Sequence, residues 1–151
     1  MSVEIDPETN SFVQSHRVAR LATSSEDGSP SVVPICYVFD GERLYTPIDE
    51  KPKRLEPRSL KRIRNINTNP NVAIVVDDYS EDWSKLAYVL IRGSAEILDS
   101  GDSEHSTAIK LLREKYGQYQ SMNLEERPII KVTPVRIKRW ASSGSSQWPE
   151  R

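Results

Sequence analysis

Alternating hydrophobic and polar positions over most of the chain predict a mainly β domain. Two strong turns, Asp27-Gly28 and Asp40-Gly41, join the first three predicted strands into an antiparallel meander. Gly93 is expected at a bulge or bend, and Pro134 predicts that the last strand is an edge strand or a bulged one. The six predicted strands are residues 18–24, 30–39, 42–46, 72–77, 86–98 and 128–140.

Three helices are predicted around these strands. The first covers residues 7–15, because Asp6-Pro7 reads as a cap followed by the first helical position. The second follows a basic loop and ends at Asn69-Pro70, and the third covers residues 102–116 and stops at Gly117. Six short strands without βαβ alternation favour a small closed or partly open antiparallel barrel. Residues 1–141 are expected to form a single domain, with 142–151 as a flexible C-terminal tail.

Composition narrows the class of protein. The net charge of −1 argues against a general nucleic-acid binder, which usually carries excess positive charge. The single cysteine, Cys36, excludes an internal disulfide framework and is expected to be a buried, inert thiol. No apolar run reaches membrane-spanning length and residues 1–10 are acidic, unlike a signal peptide, so we expect a cytoplasmic protein without a membrane partner.

Positive charge is concentrated in one stretch, within residues 44–65. Between Lys51 and Arg64 there are seven basic residues and one acid, Glu56, whereas the whole chain sums to −1. This concentration at a strand-to-helix junction predicts a bound anion. The alternative is that these charges are only a solvated helix face.

The helix that follows the basic loop has two distinct sides by sequence spacing. The backbone N–H groups at its start favour a phosphate, with Ser59 adding a hydroxyl and Arg58 or Lys61 the countercharge. At about 100° per residue, Leu60, Ile63 and Ile66 fall on one side, and Arg58, Lys61, Arg62 and Asn65 on the other.

Self-sufficient catalytic chemistry is not visible in the sequence. His16 and His105 are far apart, so with one cysteine a zinc site or other metal site is not expected. There is no GxSxG, Walker or GxGxxG motif, and the acid pairs Asp77-Asp78 and Glu81-Asp82 are more often solvated than catalytic. A redox cofactor would carry its own chemistry and ask the protein mainly for binding and orientation.

The order of the segments resembles the pyridoxamine 5′-phosphate oxidase-like split barrel family. The stretches that carry the resemblance are RVARLATSSEDGSPSVVPICYVFDGERLYT, a loop with SLKRIRNINTNPNVAIVV, and LIRGSAEIL, and the similarity runs over residues 17–140. Family members bind a flavin or a deazaflavin. The variant TPIDEKPK…LKRIRNI…NPNVAIVVDDYSEDW most resembles the F420-dependent oxidoreductase subgroup.

The resemblance implies a six-stranded antiparallel split β-barrel that forms a homodimer with two cofactors at the subunit interface. It implies that several residues bind the cofactor: Val33 and Pro34 beside the ring, Tyr45 and Thr46 at the ring or ribityl chain, Ser59, Lys61 and Arg62 at the phosphate, and Trp140 from the strand 134–140. The basic segment that binds the substrate phosphate in pyridoxamine phosphate oxidases is missing after Trp140, so vitamin B6 oxidation is not expected.

Asp49, Lys51 and Lys53 lie in a loop that is enlarged relative to the common family pattern. F420 carries a carboxylate-rich glutamate tail that FMN lacks, and extra lysines would offset its charge and steer the ligand. The sequence therefore favours F420 over FMN by a narrow margin.

Three functions compete at this point. The first is an oxidoreductase that transfers a hydride between the reduced cofactor and a small organic acceptor, with Tyr79, Trp83 or Trp140 as walls of the acceptor space. The second is a non-catalytic protein that stores or senses a flavin, F420 or a tetrapyrrole. The third, single-stranded nucleic-acid binding, is disfavoured because residues 51–64 contain no aromatic side chain.

Overall fold

The structure is a computed structural model and describes residues 3–49 and 60–142. In chain order its elements are α1 (Pro7–Ser15), β1 (Ala19–Ser24), β2 (Pro30–Ile35), β3 (Val38–Phe39), β4 (Leu44–Pro47), α2 (Lys61–Thr68), β5 (Asn71–Asp78), β6 (Ala87–Leu98), α3 (Ser103–Lys115) and β7 (Ile129–Ala141), with 3₁₀ turns at Trp83–Lys85 and Gly117–Gln120. The predicted mainly β class with flanking helices is confirmed.

The strands form one antiparallel sheet in the order β2-β1-β5-β6-β7-β4-β3. β2 and β3 lie at opposite edges, yet only Cys36 and Tyr37 separate them in the chain. Seven flat strands would span roughly 29 Å at about 4.8 Å per strand, whereas three residue steps reach about 11 Å. The sheet therefore curls until its two edges approach each other, which produces a partly open barrel.

The prediction of six strands is wrong, because residues 3–49 and 60–142 already contain seven. The run predicted as one strand at residues 30–39 is divided where the chain crosses from one edge of the sheet to the other. At the crossing, the backbone N–H of Tyr37 donates to the Tyr116 hydroxyl at 3.0 Å and so leaves the strand ladder. Both halves of the run are β-structure, so its hydrophobic pattern contains no sign of the break.

The last strand, β7, pairs with both β6 and β4 and is therefore a central strand. The edge-strand alternative is wrong, and the bulge alternative is confirmed. Gly93 pairs with Pro134 while Arg92 pairs with Arg136, which leaves Val135 as the extra residue of the bulge. A bulge accommodates Pro134 inside the sheet, because proline has no N–H to give to a regular ladder.

Two hydrophobic clusters hold the chain together. The first fills the barrel and is closed by α1 and α2, and the second lies between α3 and the β3–β4 edge. Fully buried members of the first include Val13, Leu21, Ile63, Ile74 and Ile91, and the second includes Ala108, Leu112, Leu124 and Ile129.

An ionic network attaches α3 to the sheet at Glu104. Its carboxylate accepts hydrogen bonds from Lys131 Nζ at 2.8 Å and from the Tyr45 hydroxyl at 2.6 Å. The bond from Lys131, followed by that from Tyr45, lowers the pKa of Glu104 below its ordinary 4.5. A carboxyl group whose pKa is lowered by folding contributes stability above its unfolded pKa, and that contribution disappears as the pH falls through the folded value.

We expect Glu104→Gln to reduce the free energy of unfolding by about 1 kcal/mol at pH 7, a modest value because the side chain is partly exposed. As the pH falls below the ordinary pKa of 4.5 and through the lowered pKa of folded Glu104, the difference from the parent protein should shrink, because protonation of Glu104 removes the same charge. Urea unfolding at pH 7 and pH 3.5 measures both values. Glu114→Gln, on the exposed side of α3, is the matched control. A difference that stays constant with pH would contradict this account.

Candidate functional site

The candidate site is a cleft of about 250 Å³ where the two edges of the sheet approach each other. In the described part of the chain it is formed by the end of β2, the end of β4, the first turn of α2 and Val18, which directly precedes β1. Its lining residues are Val18, Pro34, Ile35, Cys36, Thr46, Pro47, Asp49 and Arg62.

A hydrogen bond connects the two strand ends beneath this cleft. The Thr46 hydroxyl donates to the Cys36 carbonyl oxygen at 2.7 Å, and Thr46 itself is buried. Because Cys36 follows directly after β2 and Thr46 lies in β4, this bond fixes the distance between the two sides of the cleft. The cleft is therefore a preformed feature of the barrel.

Arg62 reaches the cleft because α2 packs closely on the sheet. The amide of Asn65 donates to the Thr23 hydroxyl of β1 at 2.9 Å, and both side chains are buried. Arg62 is 8% exposed. A cation held at the wall of a partly enclosed cleft is screened by solvent less than one on the surface, so it attracts an anion more strongly.

The predicted polar face of α2 is wrong for two of its members. Arg62 and Asn65 are buried together with Ile63 and Ile66, and only Lys61 among the predicted polar residues that the structure describes is exposed. The helix contacts both β1 and β6, so it buries two adjacent rows of side chains instead of one. Its first turn also has no side-chain cap, because the N-cap position is Leu60.

The structure brings three of the predicted cofactor-binding residues, Pro34, Thr46 and Arg62, to the cleft. Val33 is adjacent, but its side chain packs against the barrel core on the opposite face of β2. Tyr45 likewise faces away from Thr46: its ring lies in the second hydrophobic cluster and its hydroxyl donates to Glu104. Val33 and Tyr45 are therefore not among the described lining residues, although each is next in the chain to one that is.

The other predicted residues lie elsewhere. Lys61 is exposed at the first position of α2, next to Arg62. Trp140 lies near the end of β7 and stacks on Tyr88 of β6, with ring centroids 5.8 Å apart. Lys51, Lys53 and Ser59 lie outside the described residues.

Asp49 and Tyr119 form a part of the site that sequence reasoning missed. The buried Tyr119 hydroxyl donates to Asp49 Oδ2 at 2.5 Å, and Asp49 lines the cleft. Burial, followed by the bond to Asp49, raises the pKa of Tyr119 far above its ordinary value, so the hydroxyl stays a donor. The two residues are 70 positions apart, and no local pattern could have paired them.

Cys36 differs from the expected buried, inert thiol. It is free and only partly buried, and it lines the cleft. Behind it, Lys115 donates to the His16 carbonyl oxygen and lies 4.2 Å from the Tyr37 ring centroid. Burial, together with repulsion from Arg17, lowers the pKa of Lys115 to about 8.

A larger cavity, of about 620 Å³, is an open groove along α3 and is separate from the cleft. Its main charged pair, Arg113 and Glu125, is joined by an ion pair, and Arg113 also donates to the Tyr119 carbonyl oxygen. The bond from Arg113 lowers the pKa of Glu125 to about 2. Arg113 and Glu125 are thus paired with each other, and none of the predicted site residues that the structure describes lines the groove.

On the β2-β1-β5 side, the outer face of the sheet carries several apolar residues beside one ion pair, Arg20 with Asp77. Val32 is 64% exposed, and its cross-strand neighbour Ala22 and the β5 residues Ala73 and Val75 are partly buried. Val18, beside the cleft, is 44% exposed. An apolar strip of this kind at the edge of a concave site is typical of an interaction surface.

The chain is similar to a known protein family and to known proteins. The family model described as "Pyridoxamine 5'-phosphate oxidase" matches residues 5–141. A 5a,11a-dehydrotetracycline/5a,11a-dehydrooxytetracycline reductase from Streptomyces rimosus is 31% identical over 94 residues, which are 62% of this chain and 63% of that protein.

Two solved structures show the same fold. HutZ, the heme storage protein of Vibrio cholerae, superposes with a TM-score of 0.71 at 17% identity, covering 92% of this chain and 95% of that one. A protein described as an F420 reductase has a TM-score of 0.63 at 25% identity, covering 89% of this chain and 98% of that one. Among the residues that the structure describes, no helix is long and apolar enough to cross a membrane.

Proposed function

Because the chain belongs to the pyridoxamine 5′-phosphate oxidase family, we propose that it is an oxidoreductase that binds a flavin-type cofactor, F420 or FMN, in the cleft. When bound, the reduced ring of such a cofactor supplies a hydride to a small organic acceptor. The observation that carries this proposal is the convergence of Arg62 with Pro34 and Thr46 on one cleft.

The residues of the cleft fit such a group. Pro34, Ile35 and Val18 offer apolar walls to a flat ring, and Arg62 offers a cation to a phosphate. The volume of about 250 Å³ is less than the roughly 300–1,000 Å³ of complete ligand sites. This volume is compatible with a site to which one chain contributes only a part.

We assign the roles along the cleft by position. Val33 and Pro34 would lie beside the ring, and the end of β4 at Tyr45 and Thr46 would contact the ring or the ribityl chain. Arg62, with Lys61 and Ser59 at the start of the helix, would hold the phosphate.

A second copy of the chain is the natural group to complete the site, and the proposed assembly is a homodimer. The apolar side of the outer sheet face borders the cleft, and its exposed Val18 and Val32 would become buried in the dimer. Trp140 of the second copy is then a further candidate for contact with the ring. The apolar strip supports a self-complementary interface, which a twofold axis requires.

The choice between F420 and FMN depends on the loop that contains Lys51 and Lys53. FMN carries a phosphate and no tail, so Arg62 and Lys61 already offer two cations to its anionic group. The glutamate tail of F420 gives the additional lysines a counterion, and the likeness to an F420 reductase supports the same choice. We therefore place F420 ahead of FMN.

The proposal is tested by titrating the purified apoprotein with FMN and F420 in parallel and recording cofactor absorbance. One cofactor should saturate at one equivalent per chain, and size-exclusion chromatography with light scattering should report a dimer. If neither cofactor binds at micromolar concentration, the proposed function is wrong.

We expect the double substitution Lys51→Ala with Lys53→Ala to weaken F420 binding by roughly two- to thirtyfold and to leave FMN binding unchanged. The reason is that exposed ion pairs contribute about 0.2–1 kcal/mol each, and only F420 brings the additional carboxylates. Lys85→Ala with Lys110→Ala removes the same charge at exposed positions elsewhere and is the matched control. Equal losses for both cofactors would refute the tail argument.

The alternative is a non-catalytic protein that stores or senses FMN, F420 or a tetrapyrrole in the same cleft. The fold of a heme storage protein is compatible with it, although at 17% identity the likeness extends to the fold alone. Turnover separates the two proposals. Oxidation of the reduced cofactor by quinone or biliverdin-like acceptors, faster with the protein than without it, favours the enzyme, and tight binding without turnover favours the alternative.

A further inference from the structure

Three cations are gathered on the outer face of strands β6 and β7, away from the cleft of their own chain. Arg92 and Arg136 are directly opposite each other in the ladder, and Lys138 is opposite Leu90 in the next outward-facing pair. All three cations are exposed, and with Leu90 they line a depression of about 90 Å³. We call these three residues the β6–β7 cation cluster.

The cluster lacks a countercharge within the described part of the chain. None of its members has an ion pair or a hydrogen bond to a side chain there. The neighbouring β5 positions are Ala73 and Val75, and Asp77 further along β5 is paired with Arg20 at 2.9 Å. Like charges directly opposite in an antiparallel pair are destabilising, so the arrangement calls for an anion from outside the chain.

The nearest acid on β6 itself, Glu96, is too distant to neutralise the arginine pair. Glu96 lies four residues beyond Arg92, which is roughly 13 Å along a strand. It is also paired in the ladder with Lys131.

The bulge of β7 is what creates the cluster. In a regular ladder without the bulge, Val135 would pair with Arg92 and Arg136 would pair with Ile91. The Ile91 side chain is fully buried, so Arg136 would then point into the barrel. A shift of one residue moves every side chain of a strand to the other face. The bulge therefore turns Arg136, Lys138 and Trp140 outward, and bulges are over-represented at functional sites for this reason.

Two aromatic rings lie on the same outer face of β6 and β7, beyond Leu90 and Lys138 as seen from the bulge. Tyr88 and Trp140 are the next outward-facing pair after Leu90 and Lys138, and their rings are stacked. Along β6, the outer face thus carries an aromatic pair, then Leu90, then the arginine pair, and roughly 13 Å separate the first from the last. An apolar end followed by a cationic end fits a flat organic molecule that carries a carboxylate or phosphate at one end.

We propose that the β6–β7 cation cluster binds the anionic group of a flat organic ligand whose apolar part lies toward Tyr88 and Trp140. On the proposed function, this ligand is the acceptor of the hydride, which makes the acceptor a carboxylate- or phosphate-bearing compound. The assignment to the acceptor rests on the proposed function, whereas the anion site itself does not.

The test uses Trp140 as a reporter in the full chain. Trp83→Phe with Trp148→Phe leaves Trp140 as the single tryptophan. Inorganic phosphate and 1-naphthoate are then titrated at constant ionic strength against chloride. We expect a saturable change in Trp140 emission, with affinity reduced roughly tenfold or more by Arg92→Gln with Arg136→Gln, and unchanged by the control Lys85→Gln with Lys110→Gln. An identical response to chloride, or an unchanged affinity in the arginine variant, overturns the proposal.

Stability and cofactor binding separate the remaining possibilities. If the arginines form a ligand site, Arg92→Gln with Arg136→Gln should melt at the same or a higher temperature than the parent at low salt, because a repulsion is removed. A clearly lower melting temperature would mean that they are structural and would overturn the proposal.

Cofactor titration of the same variant identifies the source of the anion. Unchanged F420 and FMN binding supports a separate acceptor, whereas a loss for F420 alone would assign the anion to the cofactor tail and overturn the acceptor assignment. If the parent protein binds no cofactor, the proposed function fails, and the phosphate titration still decides the anion site.

Discussion

Arg62→Gln is expected to weaken binding of both FMN and F420 by roughly ten- to hundredfold. Among the described residues that line the cleft, Arg62 is the only cation. Hydrogen bonds to charged groups are worth about 1.5–3 kcal/mol, which corresponds to this loss. Glutamine keeps most of the side-chain length but removes the charge, so the substitution tests the charge itself. The measurement is the absorbance titration of the apoprotein with each cofactor.

Two neighbouring cations on the same helix provide the comparison. Arg64 is exposed and does not line the cleft, so Arg64→Gln should change affinity by no more than about twofold. Lys61 is exposed at the start of α2, and Lys61→Ala should fall between the two. A thermal melt of Arg62→Gln must show a folded protein, since Arg62 is buried. If folded Arg62→Gln binds like the parent while Lys61→Ala loses affinity, the phosphate lies at the exposed helix start and not in the cleft.

The strands could be predicted because one face of each strand packs in the core and the other face is more exposed to solvent. In β5 and β6, buried and more exposed residues alternate, and this alternation is visible in the sequence as runs such as VAIVVD and LAYVLIRG. Gly93 and Pro134 also marked the bulge, because each residue type has a specific backbone reason to occur there.

The errors have long-range causes. The division of residues 30–39 depends on the Tyr116 hydroxyl, 79 positions away from Tyr37 in the chain. The burial of Arg62 and Asn65 depends on how closely α2 packs on β1, which helical periodicity does not report. In both cases a tertiary contact overrides a correct local pattern.

Only some residues of the candidate site could be predicted from the sequence, because the others are brought together by tertiary contacts. Pro34 and Thr46 were named through the resemblance and Arg62 also through the charge pattern, and all three line one cleft. Asp49 and Tyr119 meet only in the folded chain. The β6–β7 cation cluster also depends on register, because Arg92 and Arg136 become neighbours only through the bulge.

Gly93→Ala is expected to reduce the free energy of unfolding by about 3 kcal/mol, at the upper end of overpacking substitutions. A Cβ atom at this position would lie 2.6 Å from the Thr133 carbonyl oxygen and 2.8 Å from Val132 Cγ1. The first contact is with backbone in the middle of the sheet, so no side-chain rotation relieves it. For a chain of this size the melting temperature should fall by roughly 6–12 °C. Urea unfolding and a thermal melt measure the effect.

The matched control is Gly117→Ala, where no atom lies within 4 Å of the added methyl group. There the smaller entropy of the unfolded chain should leave stability unchanged or raise it by about 0.4–1 kcal/mol. If Gly93→Ala is as stable as Gly117→Ala, β6 and β7 do not approach each other as closely at the bulge as in this structure. The same result would remove the reason for Arg136 to face outward beside Arg92. The bulge thus connects the stability of the barrel to the anion site, and one glycine tests both.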